Sequence, residues 1–180
     1  MLGAKVITGA AQETRGEIRS VLLTIAAAVA LHAAFTVSVP LILLHMVDGR
    51  ARIFAFGLWP WFGIPVVFAG VACYVWALGQ LLRRKTSALP GMAPVALETT
   101  GLYSHVRNPV LLGVVLILAG EAVNARSLLL AIYAAIYWLA LDRLVAVREE
   151  RDLCVVFGDR YLDYCRNVPR WLPKFWVRSD

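Results

Sequence analysis

The chain has 180 residues, 60% of them hydrophobic, with a formal net charge of +6 and a mean hydropathy of +0.69. Soluble domains carry roughly 45–50% apolar residues, so the composition excludes an ordinary soluble domain, while the length fits a single domain over residues 1–180. In so apolar a chain the positive charge reads as a loop bias across a membrane, and it excludes a nucleic-acid surface as the first explanation.

Residues 1–19 are polar and small, with Lys5, Arg15 and Arg19. They read as a surface helix or a frayed terminus. Residues 20–47 hold no Asp, Glu, Lys or Arg, and neither do residues 53–82. A helix needs about 20 apolar residues to cross a bilayer, so each run predicts a span. A cleaved signal peptide is the competing reading of the first run. Against it stand an apolar stretch longer than an h-region and a long charged lead. Pro40 is expected to kink the first span. Asp48-Gly49-Arg50 reads as a turn. Trp59, Pro60, Trp61 and Phe62 near the start of the second span place aromatic rings at the interface. Arg83-Arg84-Lys85 ends it.

Residues 86–100 form a polar connector broken by Pro90, Gly91 and Pro94. The third apolar segment is short, 109–120. Glu121, Asn124 and Arg126 follow it, and apolar residues resume over 127–141. Two readings fit: two tilted, packed helices with 121–126 as the far turn, or a hairpin that enters the bilayer only in part. The first is preferred. It gives an all-α, integral membrane helical bundle of about four spans, with both termini on one side. Of the 18 Lys and Arg residues, only Arg50, Arg52 and Arg126 then fall on the far side. That asymmetry places both termini, the 83–108 connector and residues 143–180 in the cytoplasm. The membrane is the inner membrane in a bacterium and the endoplasmic reticulum in a eukaryote.

Leu153, Phe157, Tyr161 and Tyr164 recur at helical spacing. Gly158 is placed to end one helix and Asp159 to cap the next, and Pro169 and Pro173 stop helix beyond. The tail is predicted as two short amphipathic helices beneath the membrane domain, at its cytosolic face. The three cysteines, Cys73, Cys154 and Cys165, form no CxxC pair and imply neither a disulfide framework nor a zinc site. His32 and His45 lie far apart, with no Cys or carboxylate at ligand spacing. They read as satisfied membrane imidazoles, and no metal is expected.

Two polar clusters remain. The first is GLYSHVRNPVLLG over 101–113, with Tyr103, His105, Arg107, Asn108 and Pro109 against an apolar helix. Alone, Asn108-Pro109 reads as a helix start, with Asn108 as N-cap and Pro109 in the first turn. Arg107 then snorkels to headgroups. The second cluster is Arg148-Glu149-Glu150-Arg151-Asp152. Alone it reads as a solvated helix face. Yet paired carboxylates at a cationic interface are not needed for orientation, and one of them suits a cationic ligand. The chain has no GxGxxG, GxxxxGK[ST], HExxH or GxSxG motif, so no soluble-type nucleotide fold is indicated.

Together the clusters resemble a known pattern. Gly101-x-Tyr103-x-x-x-Arg107-Asn108-Pro109-x-x-x-Gly113 is similar to the G-x-Y-x-x-x-R-[HN]-P-x-Y-x-G signature of the isoprenylcysteine carboxyl methyltransferase and phospholipid methyltransferase family. Glu149-Glu150-x-x-Leu153-x-x-x-Phe157-Gly158-x-x-Tyr161-x-x-Tyr164-x-x-x-Val168-x-Arg170-x-x-Pro173 follows the family's tail. The resemblance covers residues 86–174; residues 1–85, the N-terminal two-helix region, match in character only. It implies an integral membrane methyltransferase that uses S-adenosylmethionine, bound at the cytosolic face. Carried over by position, the cofactor contacts are Leu97, Glu98, Thr99, Thr100, Tyr103, Asn108, Pro109, Val110, Leu111 and the Glu149-Glu150 pair.

The chain departs from the pattern in three places. Asn108 stands for the usual His, Leu111 for a Tyr, and Val145 for the family's substrate-orienting Arg. Arg143 and Arg148 are the candidates to replace that Arg; Arg107 is a further catalytic candidate, and His105 is the nearby imidazole. A carboxylate such as Glu149 suits the cofactor's ammonium, Asn108 offers both donor and acceptor, and Tyr103 can pack the adenine. Methyl transfer depends mostly on positioning. A carboxylate acceptor is already ionised at pH 7, whereas an amine needs a base. The expectation is therefore carboxyl methylation of a lipidated, isoprenylcysteine-like or apolar substrate drawn from the bilayer. The alternatives are N-methylation of a phospholipid amine and a non-catalytic membrane protein with a decayed pocket.

Overall fold

The computed structural model describes residues 26–27, 29–47, 59–83 and 96–173. Their regular structure is all helical, as expected. α1 is the apolar stretch Val29–Met46. α2 is Trp59–Arg83, α3 Pro109–Ala125, α4 Leu128–Leu144, α5 Glu150–Phe157 and α6 Asp159–Asn167. Among the described residues three stretches are long and apolar enough to cross a membrane: Val29–Met46, Trp61–Arg83 and Leu128–Phe157. α3 has 17 residues, which at 1.5 Å per residue is about 25 Å, just short of a ~30 Å hydrocarbon core. Residues 1–25, the Asp48-Gly49-Arg50 turn and most of the 86–100 connector lie outside the described residues, as do the expectations for them.

Four glycines fix the main helix pair. A Cβ on Gly70 would sit 2.8 Å from the Gly113 carbonyl oxygen, and one on Gly113 would sit 2.7 Å from the Gly70 carbonyl oxygen. Gly63 and Gly120 face each other in the same way. The two pairs are seven residues apart on each helix, in antiparallel register. In lipid there is no hydrophobic drive between helices, so the close backbone approach that glycine permits supplies the packing. Cys73 adds a polar tie, its thiol donating to the Pro109 carbonyl at 3.2 Å.

α1 docks through aromatic and polar contacts. His32 Nδ1 lies 3.1 Å from the Tyr74 hydroxyl, Tyr133 donates to the Phe35 carbonyl at 2.9 Å, and the Phe35 and Tyr137 rings are 5.6 Å apart. His32 is thus a partnered imidazole, and no cluster of potential metal ligands occurs among the described residues. Pro40 disturbs the helix one turn early. Ala34–Ser38 form a π-helical turn, with Val39 N–H reaching back to Ala34 O. The wider turn relaxes the clash that a proline ring makes with the preceding turn.

Three local expectations are corrected. Glu121 and Asn124 are not in the far turn: α3 runs on to Ala125. The turn shrinks to Arg126, at φ 54, and Ser127, whose hydroxyl accepts from Leu130 N–H. Residues 109–125 meet no breaker, because Gly113 and Gly120 are absorbed in the α2 contact. The tail does not begin with a separate helix either. α4 passes through a π turn, Val145–Glu149, directly into α5, since no Gly or Pro occurs over 128–157. Asp159 is the first residue of α6 rather than its cap. Gly158, at φ 54, closes α5 and occupies the cap position of α6.

Candidate functional site

The site lies where the loop before α3 meets the end of α4. The loop is folded by its own polar groups. Glu98 is buried, and its Oε1 accepts the Thr100 N–H at 2.9 Å and the Thr100 hydroxyl. Gly101 then turns at φ 59 into a short 3-10 helix, Gly101–Ser104. Gln80, near the end of α2, holds this turn with both ends of its amide. Its Nε2 donates to Thr100 O at 3.2 Å, and its Oε1 accepts from Leu102 N–H at 3.1 Å. A Cβ on Gly101 would collide with that amide, 2.8 Å from its Cδ. Gly101→Ala is therefore expected to cost about 1–2 kcal/mol through positive φ and lost clamping. Thermal melts of Gly101→Ala in wild type and in a Gln80→Ala background measure the clamping part, which only the wild-type background can lose. Equal losses would remove Gln80 from the account. Sequence reasoning passed over Gln80, although it is the one amide in the apolar run 53–82.

Tyr103 is buried against Ala77 and Leu81 of α2, and its carbonyl accepts the Tyr164 hydroxyl at 2.6 Å. Burial pushes its phenol well above the usual range. Nearby Tyr164, Glu98 and Glu149 push the same way, so both predicted walls converge on this ring. Tyr161 and Tyr164 are also raised, mainly by burial. A phenol held neutral in the fold contributes stability that is complete below its unfolded pKa of about 10 and is lost as pH rises beyond it. Tyr103→Phe should therefore flatten the fall of melting temperature between about pH 10 and 12. An unchanged alkaline limb contradicts the burial described.

His105 Nδ1 is 3.1 Å from Gly101 O and 2.9 Å from Ser104 Oγ. A carbonyl can only accept, so Nδ1 carries a hydrogen that is directed at the loop backbone. Asn108 takes the N-cap position with Pro109 in the first turn, but its side chain makes no cap bond. Pro109 is buried, while Val110 and Leu111 are half-buried. Of the first loop residues, Leu97 is half-buried and Thr99 exposed.

Arg107 ties the two clusters together. Its N–H donates to Pro169 O at 2.9 Å. Its Nη1 donates to Glu150 Oε1 at 2.7 Å and to Cys165 Sγ at 2.9 Å. Its Nε is buried without a partner. Glu150 also takes Arg170 through both oxygens, at 2.9 and 2.6 Å. Arg170 reaches on to Asp142 at 2.8 Å, where Trp171 Nε1 also donates, at 2.6 Å. These bonds hold the Arg170 guanidinium above its usual pKa, the bond to Glu150 contributing most. Val145 begins the π turn and is fully buried. Arg143 and Arg148 are exposed and stand outside this network.

Glu149 ends the π turn, half-buried. No described residue gives it a hydrogen bond or ion pair. Its neighbours Glu150 and Asp152 are like-charged. The π turn adds one residue per turn to the helix, so it rotates Glu149 and Glu150 relative to an unbroken α-helix. The outcome is a division of the pair: Glu150 pairs with two arginines, and Glu149 with none among the described residues.

No family-level sequence profile matches the chain. Curated relatives do. Over 83 residues it is 41% identical to methanethiol S-methyltransferase 2 of Bradyrhizobium diazoefficiens, a match covering 45% of this chain and 30% of that protein. Over 74 residues it is 46% identical to the methanethiol S-methyltransferase of Mycobacterium tuberculosis, covering 40% and 28%. Over 101 residues it is 37% identical to methanethiol S-methyltransferase 1 of B. diazoefficiens, covering 54% and 33%. The matched stretches thus span a third or less of the relatives' own lengths. Over these stretches the chain is similar to methyltransferases, and the two motifs that carry the family resemblance are brought into contact by the fold, Arg107 with Glu150.

Proposed function

We propose that this protein is an integral membrane methyltransferase that uses S-adenosylmethionine and methylates a small, uncharged thiol at the cytosolic end of the bundle. The observation that carries the reading is Glu149, a half-buried carboxylate that has no hydrogen-bond or ion-pair partner among the described residues and lies beside the buried Tyr103. A buried charge left unpaired is costly, so such a group calls for a cation. The cofactor brings an ammonium and a sulfonium, and when bound it supplies an electrophilic methyl group. Glu149 holds the ammonium, Tyr103 forms the buried floor of the loop wall beside it, and the uncapped Asn108 amide supplies a donor and an acceptor. Glu98 and Thr100 keep the loop wall in place.

The acceptor reading moves away from a carboxylate. The two guanidinium groups in the site, Arg107 and Arg170, are already paired with Glu150. Position 145 is a buried Val, and Arg143 and Arg148 are exposed. Among the described residues no free buried cation is left to orient an anion. A thiol needs none, and the relatives are named for one. A free thiol with a pKa of about 8.5 is mostly protonated at pH 7. His105, in the same loop wall, is the imidazole we assign to take that proton.

Radiolabelled S-adenosylmethionine and methanethiol, added to detergent-purified protein, should place the label in a volatile thioether. Label released as methanol by base from a lipid fraction would restore carboxyl methylation. Label retained in a headgroup amine would point to N-methylation. No transfer to any acceptor class by folded protein would overturn the enzyme reading.

A further inference from the structure

Glu149 and Glu150 are adjacent and chemically identical, yet their surroundings differ completely. Glu150 is 14% exposed in its side chain. One oxygen accepts from Arg107 and Arg170, and the other accepts from Arg170 again. Two cations therefore fill its lone-pair sites, which leaves little capacity for a cationic ligand. The bonds it makes join three stretches far apart in sequence. Arg107 belongs to the loop wall, Arg170 to the strap after α6, and Glu150 itself to the helix that carries Glu149. Arg170 extends the connection to Asp142, two turns earlier.

We propose that Glu150 is a positioning residue for the methyl-donor site, acting through Arg107 and Arg170 without touching the donor. The inference rests on the proposed function and deepens it. Glu150 docks the Val145–Glu149 turn against the loop, and the distance from Glu149 to Tyr103 and Glu98 follows from that docking. Two further ties hold the same elements together, one from Arg107 N–H to Pro169 O and one from the Tyr164 hydroxyl to Tyr103 O. Removing Glu150 leaves those ties in place, so its loss loosens the wall rather than removing it.

A double-mutant cycle read by calorimetric binding of S-adenosylmethionine tests this. Glu150→Gln and Arg170→Gln should each raise the Kd by about tenfold, and the double variant should be no worse than the weaker-binding single, because both break one unit. Glu149→Gln combined with either should multiply the losses. At saturating donor, Glu150→Gln turnover should return to within about twofold of wild type, since only the donor KM carries the defect. A fall in active fraction alone would lower kcat and leave KM unchanged. If Glu150→Gln does not fold, Glu150→Asp, which keeps the charge and shortens the reach, takes its place in the cycle. Multiplying losses in the Glu150–Arg170 pair, an unchanged Kd on losing Glu150, or a kcat defect with KM unchanged would each overturn the inference. If wild-type protein binds no donor, the proposed function falls first, and that arm tells the two failures apart.

Discussion

Glu149→Ala should weaken S-adenosylmethionine binding by about 30- to 150-fold while leaving the melting temperature unchanged or raised. A hydrogen bond to a charged group is worth up to about 2–3 kcal/mol, and every 1.4 kcal/mol is tenfold in Kd. In the ligand-free protein Glu149 has no partner among the described residues and sits beside two other acids. Its removal therefore relieves repulsion and costs the fold nothing. Glu150→Ala should behave in the opposite way. It leaves Arg107 with Cys165 and Arg170 with Asp142 as their remaining side-chain partners, and should cost about 1–3 kcal/mol of stability with a smaller loss of binding. Calorimetry and thermal melts on both variants check the pair of results. Equal binding losses, or a melting loss confined to Glu149→Ala, would reverse the roles assigned to the two acids.

The second large effect lies in the membrane. Gly70→Leu should abolish recovery of folded, monodisperse protein, at a cost of at least ~3 kcal/mol. Even a bare Cβ there meets the Gly113 carbonyl oxygen at 2.8 Å and Ile117 N at 2.8 Å. Those atoms are backbone and cannot turn aside as a side chain can, so the helices must separate, and overpacking of this kind costs about 1–3 kcal/mol or more. Gly113→Leu should fail in the same way. Gly79→Ala is the control on the same helix. A Cβ there meets nothing within 4 Å, and replacing a helical glycine is worth up to about 1 kcal/mol in favour of the fold. Size-exclusion profiles and melting temperatures of the three variants decide the matter. A well-folded Gly70→Leu protein would mean that the close α2–α3 crossing does not hold the bundle together.

Much of this molecule was legible in its sequence, for physical reasons. A bilayer demands long uncharged runs, and those at 20–47 and 53–82 announce helices before any motif is read. The two polar clusters were also legible, because Tyr103, Arg107 and Glu149-Glu150 sit where an apolar chain has no structural need for them. What the sequence left open were pairings. The seven-residue repeats Gly63/Gly70 and Gly113/Gly120 are visible as spacings, but only the antiparallel register matches them. Gln80 looks incidental until the loop at Thr100–Leu102 is seen to close on it. Arg107 and Glu150, both offered to ligands on the strength of their positions, meet each other across 43 residues of sequence. A π turn separates the surroundings of two neighbouring acids, and nothing in the local composition of Val145–Glu149 marks it. The helix ends expected near Gly120 and Leu141 differ from the observed ones for a common cause: charge in the sequence reads as a break, whereas Arg126-Ser127 and Gly158 have the backbone conformations that end these helices.

The central claim is that the loop over 97–108 and the turn ending at Glu149 form one binding site for a cationic methyl donor. Titrating S-adenosylmethionine into detergent-purified protein, with Glu149→Ala alongside, tests it most directly. The account predicts saturable binding of one molecule per chain that weakens by about 30-fold or more in the variant. Folded wild-type protein that shows no saturable binding, or a Glu149→Ala variant that binds as tightly as wild type, would contradict it.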